Sequence, residues 1–206
     1  MPKITRQKAE ELCDKALGEK GFVRPRRGSR YWELNDNFLG WVGLNIGAHP
    51  EFVRINPFIG IHIVPVMERI ASLEHKKYRK GDIATVALHL GEVAPDVPEF
   101  VFQGIAAAED EAARLASIIY EYAVPWFQRH ANYEVILEML LQEDYRLGGI
   151  PERAAVTMVA MGQIDRAREY IRAKLSEYRE AKSPYLPWFE PFSEALLADL
   201  ATHDQR

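Results

Sequence analysis

The chain has 206 residues, 48% of them hydrophobic and 27% charged, with a net charge of −4. That supplies a real apolar core and excludes wholesale disorder, and it gives no support to a general nucleic-acid binder. No apolar run approaches the ~20 residues needed to span a bilayer, and no apolar stretch follows the opening Met-Pro-Lys-Ile-Thr-Arg, so the expectation is a cytoplasmic protein with no signal peptide and no membrane partner.

Ala9, Leu12, Cys13, Ala16 and Leu17 repeat at i, i+3, i+4, i+7 and i+8, which predicts a helix ending near Gly18 or Gly21. Cys13, the single cysteine, lies in that stripe. It permits no internal disulfide, fits a reducing compartment, and reads as a buried small hydrophobe because no basic neighbour is placed to lower its pKa. Arg24-Pro-Arg-Arg-Gly-Ser-Arg30 follows. Its arginines could hold a phosphate or an acidic partner, but the Pro, Gly and Ser make it a solvated loop into the next strand.

Arg30 to Asn35 reads as a strand and Asn35-Asp36-Asn37 as a turn. Gly40 to Val64 carries the strongest alternation in the chain. Val42, Leu44, Ile46, Val53, Ile55, Ile59 and Ile61 belong on one face; Trp41, Gly43, Asn45, Phe52, Arg54, Asn56, Phe58 and His62 belong on the other. Ala48-His49-Pro50-Glu51 turns the two runs into a hairpin, and Pro57 bulges the second run or puts it locally at an edge. Pro65 suits the first turn of a helix with Val66, Ile70 and Leu73 on its buried side. The basic cluster from His75 to Lys80 then sits favourably at that helix's C-terminus.

Ile83 to Leu90 is a further strand, with Thr85 and His89 on its polar side; residues 91–98 form a loop and 100–103 a short edge strand. Beyond Ile105 the pattern is helical. Pro125 is expected to end or kink the first of these helices. Asn132 caps the next, which Gly148-Gly149 stops, and Pro151 opens a third that closes at Gly162. Ile164, Ala167, Ile171 and Leu175 mark the return helix, and Phe189 to Leu200 a last one. Ala155, Gly162, Ala167 and Ile171 have the spacing of one tetratricopeptide-like unit, too few for a solenoid, so the expectation is a single αα-hairpin.

No P-loop, nucleophile elbow, zincin, C-x-x-C or EF-hand motif occurs, and no cofactor or metal site is expected. His62 and His89 would approach each other if their strands were neighbours, but two histidines are too few for a structural zinc site. The sharper group is Asn45, Arg54, Asn56, Thr85 and His89, on a face that also carries Trp41 and Phe58. Aromatic bodies, hydrogen-bonding heads and one arginine on a sheet face suit a polar or anionic ligand. The alternative is an amphipathic face partly roofed by helices, with Arg54 paired to a carboxylate.

The order of Gly21-Phe22-Val23, the aromatic strand with Tyr31-Trp32, and Val42-Gly43-Leu44-Asn45-Ile46, then a helix and a strand, resembles the domain-of-unknown-function proteins of the 4304-like group over roughly the first 130 residues. That group has no established activity, so the resemblance implies no catalytic residue. The reading is an α+β protein: an antiparallel sheet of about four to six strands with helices on one face over residues 1–104, and an all-helical half containing the αα-hairpin over 105–206. The expected function is non-enzymatic binding, as an adaptor or an immunity-like protein, with a protein partner or a small anionic ligand on Trp41, Asn45, Arg54, Asn56, His62 and His89. Two alternatives are an enzyme that anchors a small anionic substrate on Arg54 with His62 or His89 as acid/base, and a structural oligomerisation module. A deep pocket around Arg54 and His89 would favour the enzyme.

Overall fold

The computed structural model describes residues 3–25, 29–142 and 150–203. Its fold is α+β, with antiparallel sheets and a helical C-terminal half. It divides into two compact units whose segments interleave in sequence: Met1–Ile63 with Lys80–Ala131, and Val64–Arg79 with Asn132–Arg206. The units differ from a simple division at residue 104.

The first unit opens with α1 (Arg6–Glu19). Thr5 caps it, its hydroxyl accepting from the Lys8 N–H at 3.2 Å. Ala9, Leu12, Cys13 and Leu17 are buried as the periodicity requires, and burial pushes the Cys13 thiol up to about 12. Strands β1 (Arg30–Glu33) and β2 (Phe38–Gly43) are joined through Asn35, whose side-chain oxygen accepts from the N–H groups of Asn37 and Phe38. The rest of the hairpin comprises β3 (Ile46–Ala48), β4 (Val53–Ile55) and β5 (Phe58–Ile63), closed at its tip by His49 N–H to Phe52 O at 2.9 Å.

The hairpin is one ladder with a gap in it. Gly43 faces Phe58 and Ile46 faces Ile55, so Leu44-Asn45 on one side and Asn56-Pro57 on the other are equal in number. No residue is inserted, and the expected bulge at Pro57 is instead a symmetric interruption. Proline brings no N–H to the ladder. Across the gap, opposite Asn56, Asn45 takes φ 44°, a left-handed conformation that asparagine tolerates, and its carbonyl accepts from Asn56 N–H at 3.2 Å.

The gap divides the expected single sheet in two. One sheet has the order β1-β2-β5-β6, where β6 is Val86–His89; the other has the order β3-β4-β7, where β7 is Phe100–Phe102. A short helix, α3 (Leu90–Val93), replaces the start of the loop expected after β6, and its first N–H donates to the freed carbonyl of Pro57 at 2.9 Å. The aliphatic register is as the alternation requires: Val42, Leu44, Val53, Ile55, Ile59 and Ile61 are buried, Ile46 is half-buried and Asn45 is exposed.

Helix α4 (Ala108–His130) covers this core and packs on α1, β2, β5 and β7. It runs through Pro125 without ending there. Proline removes one donor near the last turn, while Ala123, Val124, Trp126 and Phe127 around it are buried and hold the segment. Gly40 lies directly under Phe127; an added Cβ would sit 2.1 Å from the ring.

In the second unit α2 (Val64–Leu73) packs on α6 (Ile150–Ala160) and α8 (Leu186–His203). The basic cluster expected in the last turn of α2 lies beyond its end at Leu73. Helix α5 (Tyr133–Leu141) is capped by Asn132, whose side chain accepts from Glu134 and Val135 at 2.8 and 3.2 Å. The expected stop at Gly148-Gly149 lies outside the described residues. The αα-hairpin is α6 and α7 (Ile164–Glu180), turned by Gly162 at φ 74° and closed by buried Ala154, Ala155, Ala167 and Ile171.

Candidate binding surface on the hairpin

The structure separates the sequence-marked residues into three groups. Trp41 and Phe58 lie on the outward side of the four-stranded sheet, where Gly43 faces Phe58 and Gly60 faces Trp41. The Trp41 ring lies across Gly43, so close that a Cβ there would be 2.4 Å from it. The buried indole N–H has no hydrogen-bond partner among the described residues. Phe58 faces His89 across β5 and β6, and their ring centroids lie 3.9 Å apart with the planes tilted by 36°, leaving His89 exposed.

His62 and Thr85 do not join this surface. His62 is buried, with Nδ1 2.6 Å from the Ile83 carbonyl, and Thr85 is buried with its hydroxyl accepting from Ile63 N–H at 2.8 Å. Strands β5 and β6 are neighbours, as the approach of the two histidines needed. The register nevertheless sets His89 against Phe58, four positions from His62 along β5, which is about 13 Å at strand rise. The two imidazoles therefore cannot share a substrate proton or a metal. No metal-holding cluster of His, Cys, Asp and Glu occurs among the described residues.

Asn45 and Asn56 are exposed at the gap in the ladder, bonded through their backbones. Asn56 and His89 border a cleft of about 190 Å³ floored by Ile55, Leu90 and Phe100, and Glu99 completes its rim. Arg54 does not line this cleft, but it is linked to it. Its Nε, buried and without a hydrogen-bond partner among the described residues, lies 3.4 Å from the Glu99 carboxylate; the two side chains are 39% and 58% accessible, and the guanidinium lies over the Phe52 ring at 5.7 Å. Phe52 in turn stacks on His49 at 4.4 Å.

Glu99 is the member that sequence reasoning missed; Phe52 lies on the polar face that alternation marks but is not in the candidate group. Alternation could not reach Glu99, which precedes β7; it comes beside Arg54 because β7 pairs with β4, Ile55 facing Phe100. The signal was present in the carboxylate next to the short Phe-Val-Phe strand. The backbone of Glu99 is fixed from α4: Arg114 donates to its carbonyl at 3.0 Å and to the Glu111 carboxylate at 2.7 and 2.8 Å. Glu111 also accepts the outward N–H of Val101 at 3.1 Å. These Arg114 hydrogen bonds hold the Glu111 carboxyl below its usual range.

The basic loop is explained structurally where it is described. Arg30 is buried and bonds Asp14 and Glu10 of α1, and Arg24 pairs with the same two acids. Burial raises the Asp14 carboxyl, against the lowering effect of both arginines. Arg26 and Arg27 lie outside the described residues. No helix is long and apolar enough to cross a membrane among the described residues. No protein-family model matches the chain, and no curated protein and no solved structure matches it at significance.

Proposed function

We propose that this is a non-enzymatic binding protein, of adaptor or immunity type, that docks a protein partner on the hairpin surface made by Arg54, Asn56, His89 and Glu99. The observation that carries the reading is the size and make-up of the cleft. Sites for small molecules commonly measure about 300–1,000 Å³, and at about 190 Å³ this one suits a single side chain. Its floor is apolar and its rim carries an amide, an imidazole and a carboxylate, the pattern of a pocket that seats one anchor residue at a protein interface. Arg54 and Phe52 beside it offer a guanidinium and a ring, both favoured at such contacts. The separation of His62 from His89 and of Arg54 from the cleft weighs against the alternative of an acid/base enzyme on a small anionic substrate.

The test is capture from a lysate of the native host with the full chain as bait, run beside Arg54→Glu and His89→Ala. The expected result is a protein retained by the wild type and lost from both variants, whose melting temperatures match the wild type. Equal retention by all three refutes the placement of the interface.

A further inference from the structure

The second unit carries a separate surface feature. Pro184, Pro187, Trp188 and Pro191 fall at i, i+3, i+4 and i+7, one outward stripe that runs into α8. All four are exposed, Trp188 at 71%. The opposite side of the same helix is spent on the core, with Phe189, Phe192 and Leu196 buried. Trp188 therefore stands out from an ordered, packed helix by its position on the face away from the core. Tyr185, 40% exposed, lies beside it with ring centroids 6.2 Å apart. Tyr178 supports Tyr185 from α7 at 6.5 Å and packs on buried Phe189 at 5.0 Å. The aromatic pair is thus braced before any partner arrives.

We propose that this stripe is the contact of a two-fold homodimer. A two-fold contact must be self-complementary, each patch supplying both halves of every interaction. This patch does so: it presents flat aromatic faces and, on the same stripe, the proline rings that stack on such faces. Antiparallel apposition of two α8 helices lays each Trp188 on the partner's prolines and each Tyr185 beside the partner's aromatic pair. The rim is self-complementary in charge as well. Arg179 pairs with Glu190 at 2.5 Å, and Lys182 and Glu194 are exposed on either side. A rim of one sign would instead select a partner of the opposite sign. Tryptophan and tyrosine are the residues that dominate the centre of protein interfaces. A stable interface hides about 800 Å² per partner, more than one tryptophan with its few neighbours provides, so the dimer is weak and forms as concentration rises.

Sedimentation velocity of the full chain over a rising concentration series tests this. The wild type is expected to shift from monomer towards dimer, Trp188→Asp to stay monomeric throughout, and Trp188→Phe to keep part of the shift. Circular dichroism melts of each variant confirm folding, and Pro191→Glu, on the exposed side of the helix, gives an independent disruption with the same expected loss. Arg54→Glu, which alters only the first unit, is expected to dimerise as the wild type does, so this result is separable from that of the proposed partner surface. A wild type that remains monomeric at every concentration overturns the proposal. So does a folded Trp188→Asp that still dimerises, or a monomeric chain whose patch is held by a different protein.

Discussion

Gly40→Ala probes the contact on which the first unit is built. Gly40 is buried in β2, and the added Cβ would lie 2.1, 2.5 and 2.6 Å from three atoms of the Phe127 ring. Carbon atoms rest at about 3.5–4.0 Å, so ring and strand must separate by about 1.5 Å. Phe127 has no room to yield: it is fully buried on α4, between Trp126 and the sheet. Overpacking of this kind costs about 1–3 kcal/mol. Alanine also restricts the unfolded chain, which returns about 0.4–1 kcal/mol, and the φ of Gly40 is not left-handed, so the backbone itself is compatible. The net expectation is a loss of about 1–2 kcal/mol, or a fall of roughly 2–8 °C in melting temperature for a chain of this size. Combining Gly40→Ala with Phe127→Leu should cost less than the sum of the single changes, because the smaller side chain makes room for the new methyl. Thermal or urea melts of the two single variants and the double variant measure this. An unchanged or raised stability in Gly40→Ala, or strict additivity in the double variant, refutes the packing of α4 on the sheet.

In the αα-hairpin, Ile171→Ala and Leu175→Ala are each expected to lose about 2–4 kcal/mol in urea denaturation, since both side chains are buried in the second unit. Asn132→Ala removes the acceptor for two N–H groups of α5 and is expected to cost about 1 kcal/mol, with Asn132→Asp retaining most of it. Glu111 is depressed in the folded state by its Arg114 hydrogen bonds, so its contribution is present above the unfolded carboxyl pKa of about 4.3 and is lost as pH falls through the lower folded value. The stability gap between the wild type and Glu111→Gln should therefore be flat from neutral pH down to about 5 and close below it; a gap that widens in acid contradicts the assignment.

The hairpin was legible because alternation over two long runs fixes which side chains face inward, and Val42, Val53, Ile55, Ile59 and Ile61 are buried accordingly. The Asn132 cap and the turn at Gly162 were legible because their chemistry is local. Pairings between distant segments were not. Nothing in the alternation of Arg54 or His62 reports that β7 joins β4 while β6 joins β5, and that choice divides the sheet at Asn45 and Pro57. It also parts the two histidines and brings Glu99 to Arg54. Pro125 does not end α4, because the burial of Trp126 and Phe127, which proline's local penalty does not report, holds the helix together through it. The grouping of α2 with α6 and α8 likewise depends on packing that its own sequence does not state.

The central claim is that Arg54 serves recognition and not stability, and Arg54→Ala tests it in two measurements on one sample. The Arg54 side chain is 39% accessible, although its Nε is buried, and the side chain of its partner Glu99 is 58% accessible. Such a pair contributes about 0–1 kcal/mol, so the melting temperature should fall by no more than about 4 °C. Titration of the captured partner by calorimetry should show binding weakened by about 1–3 kcal/mol, which is roughly 5- to 150-fold in Kd. A large loss of stability with unchanged binding would contradict the account.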